Sequence, residues 1–329
     1  MDGFVDNKDK ILVVFTIFMR IGIDARLWNQ TGVGRYIRNL VDGLEQIDKK
    51  NDYILFTRPQ DGVKPKNSNF KIVNTKIKWH SIAEQLKFPK VIAAQNLDII
   101  HFPYYSIPVF YNKPFVVTIH DLIPLHFQTG RASTLPFPFY KVKFLAYKFI
   151  VSQAAKKAKK IISPSFATKQ DIVKRLKINP SKIEVIYEGT DKGLIDEQSK
   201  DSEKINQFLY IGNAYPHKNL DMLLNVFKDL PADFELVLVG KEDYFYKRLK
   251  QKVKKMNLGD KIIFQGYATD SELSLLYKKS KALIIPSFIE GFGLPALEAM
   301  ANKCLVLASD IPTLKEVCDG AALFFDPKN

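Results

Sequence analysis

The stretch PSFIEGFGLPALEAMA, residues 286–301, decides the fold of this chain. It follows an apolar run over residues 282–285, whose length and lack of charge predict a buried strand. Gly291 and Gly293 then make a permissive turn, and Pro295 suits the first position of a helix, where its missing N–H does no harm. The order strand, glycine turn, helix predicts one unit of an α/β domain.

The same stretch carries groups suited to a sugar nucleotide. The predicted helix begins near Gly293 and Leu294. Its unpaired N–H groups and positive dipole favour a phosphate there. Glu290 precedes the turn and Glu298 lies inside the helix, and a carboxylate can accept hydrogen bonds from two sugar hydroxyls. A phosphate site with an acid on each side therefore indicates a nucleotide bearing a sugar.

Strands and helices alternate along the rest of the chain, which predicts two doubly wound parallel sheets. Thr269 and Glu272 form a capping box at one helix start. The predicted strands are residues 20–25, 53–57, 70–74, 98–102, 115–119, 160–163, 207–212, 234–240, 262–266, 282–285, 305–308 and 321–325. One predicted helix begins at about Arg35, after a two-glycine turn over 29–34. The other predicted helices span 166–177, 220–229, 243–257 and 271–280.

Length and composition predict two domains and a short leader. The 329 residues suit two domains, and the polar, unpatterned stretch 187–205 is typical of a linker. We assign residues 19–195 to an N-terminal domain and 196–329 to a C-terminal domain. The apolar run over 11–19 is too short to span a bilayer and lacks a signal-peptide cleavage site. Residues 1–18 are therefore a leader or a misassigned start before Met19, with a short hydrophobic anchor as the alternative.

The net charge is concentrated in the first part of the chain. Residues 201–329 hold 17 basic and 17 acidic side chains, so the whole excess of +14 lies in residues 1–200. This predicts an anionic partner, with a merely basic surface as the alternative. No nucleic-acid-binding module is recognisable, which leaves an anionic membrane surface. A basic, aromatic-bearing helix within 131–160 suits such a surface, or is a surface helix with one buried face. Its lysines are Lys141, Lys143, Lys148, Lys156 and Lys157.

Two further motifs carry candidate chemistry. His120 and Asp121 follow the predicted strand 115–119, at the sheet edge where ligands of α/β domains bind. His120 could equally be a capping or core-edge residue. Gly32 and Gly34 lack the third glycine of a dinucleotide fingerprint, which argues against a nicotinamide oxidoreductase.

With EGFGLPALEAMA at 290–301, GIDAR and TGVGRY near the start, TIHDLIPL at 118–125 and HKNL at 217–220, the chain resembles glycosyltransferase family 4. The resemblance covers residues 20–329. It implies the GT-B fold, in which two Rossmann-like domains face each other across a cleft. It also implies retaining, metal-independent transfer of a hexose, with mannose as the candidate sugar, from a GDP- or UDP-sugar to a glycan or polyprenyl-linked acceptor, as in polysaccharide biosynthesis. No cofactor is implied beyond this donor substrate.

The resemblance also implies a role for particular residues. Glu298 would bind the ribose hydroxyls, and Glu290 would bind hydroxyls of the transferred sugar. The amides of Gly293 and Leu294 would hold a donor phosphate, and Lys218 would neutralise the diphosphate. The remaining implied contacts are Gly34 near the diphosphate, His120 near the reacting carbon and acceptor, and Gly266 and Tyr267 at the nucleobase.

Three departures from the family pattern qualify this interpretation. Asn213 stands where an arginine is common, and His217 or Arg35 could compensate. Glu188 replaces a common asparagine. Because the family usually continues with helices that cross back over the N-terminal domain, a chain ending at Asn329 predicts an incomplete C-terminal domain. Two alternatives remain: a non-catalytic partner subunit of a glycan assembly complex, and a nucleotide-sugar epimerase.

Localisation follows from the same features. Two cysteines in 329 residues fit a reduced, intracellular protein. This predicts a cytoplasmic protein, and the basic first part of the chain adds peripheral contact with the cytoplasmic face of a membrane as an option.

Overall fold

The computed structural model describes residues 18–127, 136–190, 192–194 and 203–329. Residues 1–17 of the predicted leader, and the predicted domain boundary between residues 195 and 196, lie outside these ranges. The described residues form two α/β units, each built on one parallel sheet. This arrangement confirms the predicted fold class.

The first unit has seven parallel strands within the described residues. They are β1 Arg20–Asp24, β2 Asp52–Thr57, β3 Phe70–Asn74, β4 Ile99–Phe102, β5 Phe115–Thr118, β6 Lys160–Ser163 and β7 Ile183–Val185. Their order in the sheet is β3-β2-β1-β4-β5-β6-β7. The helices are α1 Gly32–Ile47, α2 Ile82–Leu86, α3 Phe88–Ala93, α4 Ile123–His126, α5 Phe137–Lys157 and α6 Phe166–Leu176.

The second unit has six parallel strands in the part of the chain that is described. They are β8 Ile205–Ile211, β9 Glu235–Val239, β10 Ile262–Gly266, β11 Ser280–Ile285, β12 Leu305–Ser309 and β13 Leu323–Phe325. Their order is β10-β9-β8-β11-β12-β13. The helices are α7 Leu220–Asp229, α8 Tyr244–Lys255, α9 Asp270–Lys279, α10 Leu294–Ala301 and α11 Pro312–Cys318. The strand order reverses between β8 and β11, at the topological switch point of the sheet, which is where ligands of such sheets bind.

The strands are mostly apolar, as expected for parallel sheets with helices on both faces. Four of the five residues of β9 are buried, and so are five of the six residues of β11. Leu194, from the stretch predicted as linker, is fully buried in the core of the second unit. Among the described helices, none combines the length and the apolar character needed to cross a bilayer.

Several predicted elements are confirmed to the residue, and two details were wrong. Strands β3 and β10 and helix α7 have the predicted bounds, and the capping box is present, with Thr269 N donating to Glu272 at 2.7 Å. Helix α1, however, begins at Gly32, so both glycines of the predicted turn lie inside its first turn. Pro295 occupies the second helical position, after Leu294.

Candidate active site

A glycine turn joins β11 to α10 and also connects the two units. Gly293 caps α10 in the left-handed region, with φ of 95°, which disfavours any residue with a side chain. A Cβ on Gly291 would lie 2.2 Å from the carbonyl oxygen of His120 in the first unit. The Gly291 carbonyl accepts hydrogen bonds from Ser165 Oγ and Thr168 Oγ1, both at 2.9 Å. The turn is therefore held against the N-terminus of α6.

Lys218 and Glu290, both predicted from the sequence as catalytic, form a mostly buried ion pair. Lys218 Nζ lies 2.7 and 2.8 Å from the two Glu290 oxygens, and Ser287 Oγ donates to Oε1 at 2.6 Å. The Glu290 side chain is 10% exposed. Burial alone would favour its neutral form, but Lys218 and Ser287 outweigh burial and hold the pKa of Glu290 below its usual value. Glu290 is therefore ionised near pH 7.

Lys218 is positioned by a short 3-10 turn, Pro216–Lys218, that follows β8. The neighbouring His217 carbonyl accepts a hydrogen bond from Phe288 N at 2.8 Å, which ties this turn to the loop that carries Glu290. The His217 ring is buried, and burial together with Lys218 lowers its pKa to about 4. His217 is therefore neutral near pH 7 and adds no charge to that of Lys218.

Glu298 lies one turn into α10 and is almost fully buried. Its Oε2 accepts a hydrogen bond from Tyr277 OH at 2.9 Å, and its Oε1 pairs with Arg35 Nη1 from helix α1 of the first unit. Arg35 Nη2 also pairs with Asp270 Oδ1 at 2.5 Å. The predicted ribose anchor is thus one member of an ion cluster that joins the two units.

His120 is held at both ring nitrogens by oxygen acceptors. Nδ1 lies 2.8 Å from Glu188 Oε1, and Nε2 lies 2.9 Å from the Pro103 carbonyl oxygen. A carboxylate and a carbonyl oxygen are both acceptors, so this geometry favours a ring with a proton on each nitrogen. Burial opposes this charge, but Glu188 overcomes it and raises the pKa of His120. The ring edge of Tyr36 contacts it, with centroids 4.8 Å apart.

Gly34 lies in the first turn of α1, Gly266 lies at the end of β10, and Tyr267 follows it. A Cβ on Gly34 would lie 2.5 Å from the Trp28 carbonyl oxygen, so the packing of α1 explains this glycine. Gly266 ends β10, with its carbonyl accepting from Gly240 N at 2.9 Å, and Tyr267 beyond it is 77% exposed. Three strand spacings separate β10 from β11, roughly 14 Å. Their nucleotide roles remain predictions.

The lysine-rich helix has two apolar faces. Val151 and Ala154 on α5 are fully buried. On another face, four large apolar side chains are more than half exposed: Phe139, Val142, Leu145 and Phe149. Their spacing of three and four residues places them along one stripe. All five predicted lysines are exposed, and Lys157 donates to the Val109 carbonyl oxygen at 2.6 Å.

A cavity of about 510 Å³ opens between the two units beside the Lys218–Glu290 ion pair. Asp121, Phe127 and Thr168 line it from the first unit, and Glu290 and Thr313 from the second. Burial raises the pKa of Asp121. Among the described residues, no group of three or more His, Cys, Asp or Glu side chains is arranged as a metal site.

Some residues of this site have weak sequence signals. Arg35 directly follows the second glycine of TGVGRY, and the sequence indicates it only as a substitute cation. Glu188 departs from the family pattern, and its pairing with His120 becomes visible only in three dimensions. Tyr277 and Asp270 lie on α9, whose residues show no chemical motif.

Two family models match consecutive parts of the chain. The model "Glycosyltransferase Family 4" matches residues 30–193, and "Glycosyl transferases group 1" matches residues 191–329. The O-antigen chain mannosyltransferase RfbU of Salmonella typhimurium is 30% identical over 250 residues, which are 76% of this chain and 66% of that protein.

A second relative comes from Campylobacter jejuni. It is N-acetylgalactosamine-N,N'-diacetylbacillosaminyl-diphospho-undecaprenol 4-alpha-N-acetylgalactosaminyltransferase, 27% identical over 168 residues, covering 50% of this chain and 45% of that protein. The chain therefore spans just under two thirds of the length of RfbU and under half of the length of the Campylobacter relative.

Among solved structures, sucrose-phosphate synthase from Thermosynechococcus elongatus superposes with a TM-score of 0.74 at 19% identity. The match covers 94% of this chain and 86% of that one. This likeness shows the fold, and the two models together account for the chain from residue 30 to its last residue. The chain belongs to glycosyltransferase family 4 and has the GT-B fold.

Proposed function

We propose that this chain is a retaining hexosyltransferase that moves a hexose, mannose in the first instance, from a nucleotide diphosphate sugar to a glycan or polyprenyl-linked acceptor. The observation that carries the proposal is the Lys218–Glu290 ion pair beside the glycine turn that opens α10. The printed names of RfbU, a mannosyltransferase, and of the Campylobacter relative, which acts on a diphospho-undecaprenol substrate, support the donor sugar and the acceptor class.

The chemistry that these groups favour is stabilisation of a leaving diphosphate. An acceptor hydroxyl oxygen forms a bond to the anomeric carbon, while the bond from that carbon to the diphosphate oxygen breaks. The hydroxyl proton passes to the leaving phosphate oxygen, so attack and departure share one face of the sugar and configuration is retained. Lys218 and the N–H groups at Gly293 and Leu294 are preorganised to stabilise the negative charge that develops. In this proposal they stabilise it without a metal.

Glu290 holds a hydroxyl of the transferred sugar in this proposal. A carboxylate offers about four lone-pair sites, and Lys218 and Ser287 use three of those on Glu290. One site is left for a sugar hydroxyl. A covalent nucleophile at this position is the alternative, but the close pairing of both oxygens with Lys218 lowers their nucleophilicity.

His120 contributes charge and not basicity. As an imidazolium with both N–H groups bonded, it cannot take a proton from the acceptor. Glu188 is its positioning residue, and the ring keeps a positive charge next to Asp121 on the wall of the interdomain cavity.

A donor panel tests the proposed function. We expect GDP-mannose to raise the melting temperature more than UDP- or ADP-sugars. Glu298→Ala should weaken binding of the selected donor at least about tenfold, because a charged hydrogen-bond acceptor for the ribose is lost. The measurements are thermal shift and isothermal titration calorimetry.

Glu242→Ala is the matched control for this panel, since Glu242 is an exposed glutamate of the same unit and pairs with Lys250 on the surface. It should leave donor binding unchanged. Neither a thermal shift nor sugar transfer with any of these donors would contradict the function. Binding without transfer or hydrolysis would instead favour a non-catalytic subunit, which the family matches and named enzymes do not favour.

We also propose that α5 is the contact with an anionic membrane that brings a lipid-linked acceptor to the cleft. The exposed apolar stripe at Phe139, Val142, Leu145 and Phe149 is flanked by lysines, and all of the chain's positive excess lies in residues 1–200. This combination suits a helix lying in the interface of an anionic bilayer.

Liposome co-sedimentation tests this contact. The protein should bind phosphatidylserine vesicles at low salt and bind neutral vesicles much less. Since each lysine near such a surface contributes about 1 kcal/mol, Lys143→Ala with Lys148→Ala should lower the partition coefficient about 30-fold. Lys247→Ala with Lys255→Ala on α8 is the control, because it removes the same charge from the other unit. Equal binding to neutral and anionic vesicles would contradict the proposal.

A further inference from the structure

Arg35 joins the two units through ion pairs with Asp270 and Glu298. Its guanidinium bonds Glu298 Oε1 through one nitrogen and Asp270 Oδ1 through another, and its side chain is only 15% exposed. Glu298 is nearly buried, whereas Asp270 is 43% exposed. One arginine therefore pairs with two carboxylates that belong to the opposite unit.

This contact uses the oxygen that a ribose would need. Glu298 Oε2 is already bonded to the buried hydroxyl of Tyr277, and Oε1 is bonded to Arg35. With Arg35 on Oε1 the Glu298 side chain is only 4% exposed, so a ribose diol cannot approach both carboxylate oxygens unless Arg35 moves. A nucleotide and Arg35 therefore compete for Glu298, if the donor site is the one proposed above.

The displaced guanidinium has a ready partner nearby. Glu298 lies four residues beyond Leu294, about 6 Å along the axis of α10 from the N–H groups proposed to hold the diphosphate. Guanidinium groups bind phosphate in a bidentate manner. Asn213 brings no charge to this region, and the buried, neutral His217 brings none either.

We propose that Arg35 exchanges partners when the donor binds, leaving Glu298 to the ribose and pairing with the donor diphosphate as the second cation beside Lys218. This inference rests on the proposed function. It makes Arg35 a binding residue for the leaving group that is delivered by the N-terminal domain. Closure of the cleft and neutralisation of the diphosphate are then coupled through one side chain.

Calorimetric titration with a nucleoside diphosphate and its nucleoside tests the exchange, with GDP and guanosine as the first pair. Arg35→Ala removes both the competitor of the ribose and the partner of the diphosphate. Guanosine should bind several-fold more tightly to the variant, and GDP about tenfold more weakly. The dissociation constant of guanosine divided by that of GDP should therefore fall by more than about tenfold.

Two further variants keep the test clear if Arg35→Ala is poorly folded. Arg35→Lys keeps one charge but cannot bridge two carboxylates in the bidentate manner of a guanidinium, so it should give an intermediate ratio. Arg38→Ala removes an arginine from the same helix, one that donates to the Trp28 carbonyl oxygen at 2.6 Å, and should leave the ratio at its wild-type value.

The outcomes separate the inference from the proposed function. If Arg35→Ala changes both affinities by the same factor in the same direction, Arg35 does not exchange partners and the inference is overturned. If the unaltered chain binds neither GDP nor UDP, the proposed donor site itself fails, and the inference fails with it. Opposite changes for the nucleoside and the diphosphate support the exchange.

Discussion

Lys218→Ala is expected to lower kcat at saturating donor by about 10²- to 10³-fold, the range measured for loss of one preorganised donor to a developing negative charge. In the structure, the Lys218 ammonium is fixed by Glu290 and lies on the turn after β8. It therefore needs no reorganisation when the diphosphate departs. The measurement is the steady-state rate of sugar transfer with donor and acceptor both saturating.

Stability has to be separated from catalysis in this experiment. Removing Lys218 leaves Glu290 as a buried charge without its partner, and breaking such a pair costs about 3–5 kcal/mol. The double variant Lys218→Ala with Glu290→Gln removes the orphaned charge as well. We expect it to recover most of the lost melting temperature and none of the lost turnover. Wild-type turnover in a folded Lys218→Ala protein would contradict the leaving-group role.

The parallel sheets could be predicted from the sequence because their information is local. Each buried strand is a run of apolar residues with turn residues at its ends, such as the run ending at Ile285. Likewise, Thr269 and Glu272 bind each other across a single helical turn. Signals of this kind do not depend on the rest of the fold.

The start of α1 could not be predicted in this way. A glycine pair between a strand and a helix usually indicates a turn. Here both glycines lie inside the helix, and Gly34 is needed there because a Cβ would clash with the Trp28 carbonyl oxygen. That clash depends on how the chain folds back after β1, which no spacing in the sequence reveals.

The contacts within the candidate site were the least predictable part. Resemblance to a family motif placed Lys218 and Glu290 near one donor, and the structure places them in direct contact. The partner of His120 is 68 residues away, and the Arg35–Glu298 pair spans 263 residues. Charges that are paired across domains leave no periodic or local pattern, so a single sequence cannot assign them.

Glu290→Gln is expected to lower kcat about 10²-fold while the protein stays folded, because the amide keeps the size of the side chain but loses the charge that fixes Lys218. The hydroxyl-binding role predicts that the wild-type protein forms no covalent sugar adduct, which intact-protein mass spectrometry after mixing with donor would check. A trapped adduct on Glu290 would establish the nucleophile instead. Glu242→Gln, on the exposed Lys250 pair, should leave kcat unchanged.

The same variant has a defined pH signature in stability. The pKa of Glu290 lies below its usual value of 4.5, because Lys218 and Ser287 outweigh burial, so ionised Glu290 stabilises the folded state at pH values above 4.5. That contribution disappears as pH falls through the lowered pKa. Urea unfolding should therefore show a wild-type advantage over Glu290→Gln that is constant from pH 8 to about 5 and shrinks below 4.5. An advantage that stayed constant in acid would mean that the charge of Glu290 contributes nothing to the fold, and Lys218 would then lack the electrostatic support assumed for its role in turnover.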